Sequence, residues 1–312
     1  MAHSEDTLNQ QRSNLGTESI VAYYDQTWLD YRIFWLNGSN LSIHFGYTDA
    51  TTRSHADALV NMNYVLAERV GIRPGERVLD AGCGVGGSSF WLVNHRGADV
   101  VGITPVRSQV VQAQRFATRS KLVSHAHFAQ ADYANTHFPD ASFDVVWSLE
   151  SLCHAPDKAA FYREAARLLR PGGRLVVAEY IRAARPLATA GERVLHSWLN
   201  GWAIPDLATR EEHLSYISAA GFSDIRFDDV TRHTRPSLRR LYQITRWSYP
   251  LAVLGHISGI RSAVQHGNVV GSLHQYLALE QGLWFYGLVS AVSNGAENLS
   301  EALERVVSET RP

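Results

Sequence analysis

From Val78 to Gly87 the chain reads Val-Leu-Asp-Ala-Gly-Cys-Gly-Val-Gly-Gly, a short apolar run broken by a glycine-rich turn. Glycines 82, 84 and 87 satisfy the G-x-G-x-x-G spacing that lets a backbone approach a nucleotide between a strand and a helix. Taken alone, that spacing fits a nicotinamide enzyme equally well. Asp80 separates the readings, because a carboxylate inside this turn would crowd a pyrophosphate but suits a cofactor carrying an ammonium and a sulfonium. The next strand ends in Gly102-Ile103-Thr104, with no acid to grip ribose hydroxyls, and Asp99 stands at its beginning. Thr104 and Gln109 can form a neutral ribose clamp instead. Asp132, closing Gln130-Ala131-Asp132, can accept from an adenine amino group.

The elements that must hold these residues follow from periodicity. Arg77–Asp80, Ala98–Ile103, Ala126–Gln130, Phe143–Leu149 and Arg174–Tyr180 read as strands, separated by helices near Ser89–His95, Ser108–Arg119 and Asp157–Arg170. Such alternation predicts an α/β fold, a Rossmann-like, seven-stranded, doubly wound sheet with helices on both faces. Ser223–Thr231 and Leu283–Val292 are expected as its closing strand pair. Two segments fall outside the alternation, near 181–208 and 236–282. Together with helices at about Gly16–Leu36 and Ser54–Val70 they are expected to form a mostly helical cap over the ligand edge. The predicted organisation is a flexible tail at 1–13, a helical cap at 14–71 and a core at 72–312 carrying the two cap insertions. Ile20, Tyr24, Trp28, Tyr31 and Trp35 recur every three or four residues, placing an aromatic stripe on one face of the first helix. Asn37-Gly38-Ser39-Asn40 is expected to stop that helix, and a short helix is expected near Asn298–Glu309.

The loop VLDAGCGVGG, the turn GIT with Gln109 five residues on, the pair AD and the segment LLRPGGRL resemble class I S-adenosylmethionine-dependent methyltransferases. The likeness spans about residues 72–180 plus the closing strands. The class often has an acid after its second strand, and this chain departs there. Thr104, Gln109 and the Tyr23-Tyr24-Asp25 segment are similar instead to the branch with cyclopropane-fatty-acid synthases and tocopherol and sterol C-methyltransferases. Within that resemblance Tyr24 reaches the donor. S-adenosylmethionine is the implied cofactor, held by Tyr24, Asp80, Gly82, Gly84, Thr104, Gln109 and Asp132. The stretch Glu150-Ser151-Leu152-Cys153-His154-Ala155-Pro156 resembles the Glu-Ala-x-x-His-Ala-Pro segment of sterol 24-C-methyltransferases. By that resemblance Glu150 stabilises a carbocation and removes its proton, and His154 orients it or relays the proton.

With an activated methyl on the donor, the protein must align an acceptor, exclude water and dispose of a proton. An oxygen or nitrogen acceptor needs only a nearby base. An alkene carbon becomes a carbocation and needs π faces or carboxylate charge as well. Trp28, Trp35, Trp198, Trp202, Tyr242 and Trp247 are expected to line a large apolar acceptor pocket. The resulting expectation is methyl transfer to an alkene carbon of a prenyl or terpenoid molecule, a prenyl diphosphate or a prenylated natural product such as an indole alkaloid. The alternative is O- or N-methylation of a small aromatic metabolite. Arg235, Arg239, Arg240 and Arg246 could meet a diphosphate or form a solvated helix face. No metal is expected, since Asp228-Asp229 lacks the DDxxD pattern and the histidines lack ligand spacing.

Composition narrows the rest. Hydrophobic residues are 45% and charged residues 19% of 312, a globular balance. With 29 Lys+Arg against 30 Asp+Glu, a net charge of -1 gives no global attraction to nucleic acid. Cys83 and Cys153 make no disulfide framework, so a cytoplasmic, reducing setting is expected. No apolar stretch reaches the length of a membrane span. The N-terminal helix, with its aromatic face, is expected as the docking element of a homo-oligomer.

Overall fold

The computed structural model describes residues 18–32 and 41–295. Trp35, the tail at 1–13, the stop at Asn37–Asn40 and the helix expected near 298–309 lie outside the described residues. Seven strands form one sheet: β1 (Arg77–Ala81), β2 (Asp99–Thr104), β3 (Ala126–Gln130), β4 (Phe143–Leu149), β5 (Leu169–Arg182), β6 (Phe222–Asp229) and β7 (Trp284–Ser293). Their spatial order is β3-β2-β1-β4-β5-β7-β6. The first five pair in parallel, and β7 runs antiparallel to both of its neighbours. The order reverses between β1 and β4, and such a switch point opens a ligand crevice at the carboxyl ends of the strands.

Alternation along the strands builds two cores. Val78, Val100, Val145 and Val176 pack on one face with helix α2 (His55–Val70) and helix α3 (Gly87–Arg96). Leu79, Val146, Leu175 and Val177 face the other way, against α5 (Lys158–Leu168) and α7 (Arg210–Ala219). Helix α4 (Arg107–Arg119) closes the β2–β3 edge with Val110 and Ala113. Ser54 caps α2 by accepting from the Asp57 amide, and Gly71 ends it at φ +60.

The cap consists of helix α1, seen over residues 18–32, with α6 (Thr189–Gly201), α8 (Thr231–Ile257) and α9 (Ala263–Glu280). Several boundaries differ from the sequence expectation, and α2, expected in the cap at 14–71, packs on the sheet instead. Strand β6 stops at Asp229, whose Oδ1 accepts from the Thr231 amide at 2.8 Å, so Thr231 opens α8 rather than extending the strand. Strand β5 continues through Arg182, into the segment expected as cap insertion, because Ala208 and Leu283 supply bonds to Arg182 and Ala183. The buried face of α1 is Ile20, Tyr23, Thr27 and Asp30, rotated by one residue from the expected stripe.

Tryptophans that look alike in sequence have opposite fates. Trp198 on α6 is fully buried, with its ring 4.9 Å from Trp284 and 5.4 Å from Tyr180. Trp247 on α8 is 84% exposed. Urea unfolding should therefore show Trp198→Ala losing roughly 3–5 kcal/mol. Trp247→Ala should stay within about 0.5 kcal/mol of the parent protein.

Candidate active site

Two cavities meet at the carboxyl ends of β1 and β4. The first is a cleft beside the glycine turn. Its walls include Asp80, Gly82, Gly84, Thr104, Gln109 and Tyr24, six of the seven residues singled out for the donor. Gly82 sits at φ +93, and its amide and that of Cys83 both donate to the Ile103 carbonyl at 2.9 Å. A Cβ on Gly82 would stand 2.2 Å from the Ser151 Cβ, so the turn lies flat against the residue after Glu150. Gly84, at φ +54, faces open space. Burial pushes the Asp80 carboxyl up to about 6, partly offset by Ser89, which donates to it at 2.5 Å. Thr104 donates to Gln109 Oε1 at 2.7 Å, joining the two halves of the expected clamp.

Asp132 does not line this cleft. Its Oδ1 accepts from the Ala134 amide at 2.8 Å, capping its own turn, and Tyr133 lines the cleft in its place. The segment Leu41–His44 was not singled out in the sequence, yet it forms part of the wall. His44 Nδ1 must donate to the Phe45 carbonyl at 3.0 Å. That leaves Nε2 a buried acceptor with no protein partner.

The second cavity, of about 260 Å³, lies under the cap. Tyr24, Tyr31, Phe45, Tyr180 and Trp202 give it an aromatic wall, closed by Leu241, Ile244 and Leu251 of α8. Of the residues expected to line it, Trp202 does. Trp198 supports Tyr180 from beneath, and Tyr242 stacks on Tyr276 at 4.9 Å. Trp28 is half-buried on α1 without lining the cavity, and Trp247 points to solvent. The four arginines singled out on α8 also stand apart from it. Arg235 pairs with Glu280 at 2.9 Å, and among the described residues the guanidinium on the wall is that of Arg261, paired with Asp30 at 2.7 Å.

Glu150, His154, Tyr24 and Ile43 line both cavities. Glu150 stands just past β4 at φ +51, a backbone conformation that costs a non-glycine residue energy and gathers at functional sites. Its Oε1 accepts from the Phe45 amide at 2.7 Å and the Tyr286 hydroxyl at 2.6 Å, and Tyr180 donates to Oε2. Burial nevertheless pushes the carboxyl up to about 8, against the opposing pull of those three donors. His154 sits in the single 3-10 turn Leu152–His154. Its Nδ1 must donate to the Ala203 carbonyl at 3.2 Å, so Nε2 is the acceptor facing the Tyr24 hydroxyl at 3.2 Å. Burial lowers its pKa to about 4, so the ring stays neutral. The bonds that hold Glu150 come from Phe45, Tyr180 and Tyr286, and the bonds of His154 go to Ala203 and Tyr24.

Comparison with known proteins bears on this geometry. A family model described as a methyltransferase domain matches residues 79–177. The 27-O-demethylrifamycin SV methyltransferase of Amycolatopsis mediterranei is 34% identical over 224 residues, 71% of this chain and 77% of that one. The chain belongs to the class I S-adenosylmethionine-dependent methyltransferases. It is also 29% identical to the sterol 24-C-methyltransferase of Schizosaccharomyces pombe, over 76% of its own length and 60% of that enzyme's. Among solved structures, the 4+2 cyclase SpnF superposes with a TM-score of 0.71 at 25% identity, covering 90% of this chain and 97% of that one. The protein is thus an enzyme whose cofactor is S-adenosylmethionine, and the glycine-lined cleft with its buried acid and neutral clamp fits that molecule. Among the described residues no helix is long and apolar enough to cross a membrane, and no cluster of His, Cys, Asp or Glu could hold a metal ion.

Because burial raises the Glu150 pKa, its proton should persist through neutrality and leave as pH rises through about 8. Infrared difference spectra of the free methyltransferase against Glu150→Gln should show a protonated carboxyl band at pH 6 that fades around pH 8. In Tyr286→Phe, which loses a bond favouring the charged form, the same fading should move to higher pH.

Proposed function

We propose that this methyltransferase transfers a methyl group to an alkene carbon of a neutral prenylated or terpenoid acceptor. The observation that carries the reading is a single carboxylate, Glu150, standing where a donor cleft meets an aromatic-walled cavity. S-adenosylmethionine supplies an electrophilic methyl group when bound. Asp80 answers its positive charge, Thr104 and Gln109 hold its ribose, and the Gly82–Gly84 turn gives it backbone approach. Tyr24, at the seam of both cavities, separates donor from acceptor and is itself steadied by its bond to His154 Nε2.

As the alkene π pair forms the carbon–methyl bond, the methyl–sulfur bond would break with its electron pair left on the departing thioether, and positive charge appears on the neighbouring carbon. The faces of Tyr24, Tyr31, Phe45, Tyr180 and Trp202 then provide quadrupole stabilisation, each worth about 0.5–2 kcal/mol to a desolvated cation. The Glu150 carboxylate adds opposite charge at short range and takes a proton from the adjacent carbon, restoring a double bond either directly or after ring closure. The carboxylate ends protonated, the state that its burial favours. Water exclusion by the α8 wall protects the cation from capture.

A neutral acceptor is favoured over a diphosphate because Arg261, the guanidinium on the cavity wall, is already neutralised by Asp30. The similarity to the 27-O-demethylrifamycin SV methyltransferase supports the second reading, transfer to oxygen, for which a base alone would suffice.

Incubation with isotopically labelled donor and a panel of prenylated acceptors, followed by NMR of the product, decides between them. A new carbon–methyl bond is expected, and an O- or N-methyl product overturns the reading. Glu150→Gln should bind the donor with nearly parental affinity yet turn over at least tenfold more slowly, about 1.4 kcal/mol of barrier.

A further inference from the structure

The outer side of the cap is chemically lopsided. Residues 230–279 hold six arginines and not one Asp or Glu, in a chain whose net charge is -1. Most of that charge sits on α8, whose exposed side divides into two halves. Arg232, Arg239 and Arg246 stand seven residues apart, two helical turns each time, and all three are exposed. Beyond them the same side turns apolar. Trp247, Leu251, Leu254 and Ile257 follow at helical spacing, and Ile260 lies just past the helix end. These five side chains are between 63% and 84% exposed. Large apolar residues on a surface normally scatter singly, and a run of them marks a surface that meets another.

Whatever covers this side has to answer both halves, with apolar depth for the C-terminal end and negative charge for the arginines. An anionic bilayer offers the two in adjacent layers, and a tryptophan such as Trp247, at the junction, prefers the boundary between them. A second copy meeting the stripe with its own would cover the apolar end but bring no acid from 230–279 to the arginines. Leu251 also lines the acceptor cavity, so the patch and the cavity share a wall.

We propose that α8 docks the cap on an anionic lipid surface, with its apolar end at the edge of the acyl chains and Arg232, Arg239 and Arg246 among the headgroups. The helix lies on the bilayer and does not cross it. In that pose the Leu251 wall of the cavity faces the layer in which a neutral prenylated molecule dissolves. Only this last point, delivery of the acceptor from the lipid, rests on the reading of the cavity as the acceptor pocket.

Co-sedimentation of the full chain with vesicles, in the absence of any acceptor, tests the docking. The probes are phosphatidylcholine alone and an equal mixture with phosphatidylglycerol. Binding to the mixture should be roughly tenfold tighter or more, and high salt should erase that advantage. The double variant Leu254→Glu/Ile257→Glu should sediment with neither. Arg239→Gln/Arg246→Gln should treat the two vesicles nearly alike. Both variants should bind S-adenosylmethionine with parental affinity, a check on their folding, since none of the four residues lines either cavity. No sedimentation of the parent with the mixture, or binding that both double substitutions leave intact, overturns the docking. So does a parent oligomer that Leu254→Glu/Ile257→Glu splits into monomers in sedimentation velocity, which would make the stripe a contact between copies. Vesicle binding as expected, while no acceptor ever gains a carbon–methyl bond, sinks the carbon-methylation reading alone.

Discussion

The close approach of Gly82 to Ser151 sets the geometry of everything else. There is no room for a side chain between the turn after β1 and the turn after β4. Ser151 fills that gap and donates to the Ala81 carbonyl at 2.5 Å, while its Oγ lies 2.8 Å from that of Ser148. The two turns therefore move as one body. A ligand seated on the glycine turn and the carboxylate of Glu150 are placed relative to each other by packed backbone, which resists displacement better than a flexible side chain would. The left-handed backbone at Glu150 follows from the same contact, since the chain must leave β4 sharply to lay Ser151 against the glycine.

The holding of Glu150 depends on the sheet rather than on its own loop. Tyr180 and Tyr286 are direct partners in the antiparallel β5–β7 register, so both hydroxyls arrive from one rung of the ladder. Behind them Glu179, fully buried, accepts from the Cys153 amide at 2.7 Å and the Tyr180 amide at 2.8 Å, and so locks the turn that carries His154. The Lys158 ammonium donates to three backbone carbonyls of the neighbouring loops, Asp206 among them at 2.8 Å. A shift of one residue in the β5–β7 pairing would turn Tyr286 to the other face and remove one of the clamps.

How much of this the sequence disclosed depends on how local the signal was. Strands β3 and β4 match their expected bounds because short apolar runs flanked by turn residues carry their own period. The glycine turn, Thr104 with Gln109, and Glu150 with His154 were legible because spacing along one segment determines them. Tyr180 and Tyr286 escaped notice because 106 residues separate them and only the strand pairing makes them neighbours. Phe45 and Leu41–His44 carry no periodicity, and their roles come from an amide and a buried imidazole nitrogen. The aromatic residues misled for a related reason. Periodicity places a ring on a helix face but does not say which neighbour that face meets. On α1 the buried face turned out to be Tyr23 and Thr27, and on α8 Trp247 fell outward.

The site also raises a question of free energy, since a base that keeps its proton to about pH 8 would be mostly unavailable at pH 7. One pH unit is about 1.4 kcal/mol, the work needed to ionise Glu150 there. A unit positive charge 5 Å away, in an effective dielectric of about 20, returns roughly 3 kcal/mol. A cationic carbon next to the carboxylate in the acceptor cavity therefore outweighs the cost. Without one, the neutral acid is preferred, held by an amide and two hydroxyls. The base exists when there is a cation to deprotonate and recedes when there is not. Placing a single carboxylate beside the aromatic cavity, in apolar surroundings, is what makes its ionisation answer to the charge that forms there.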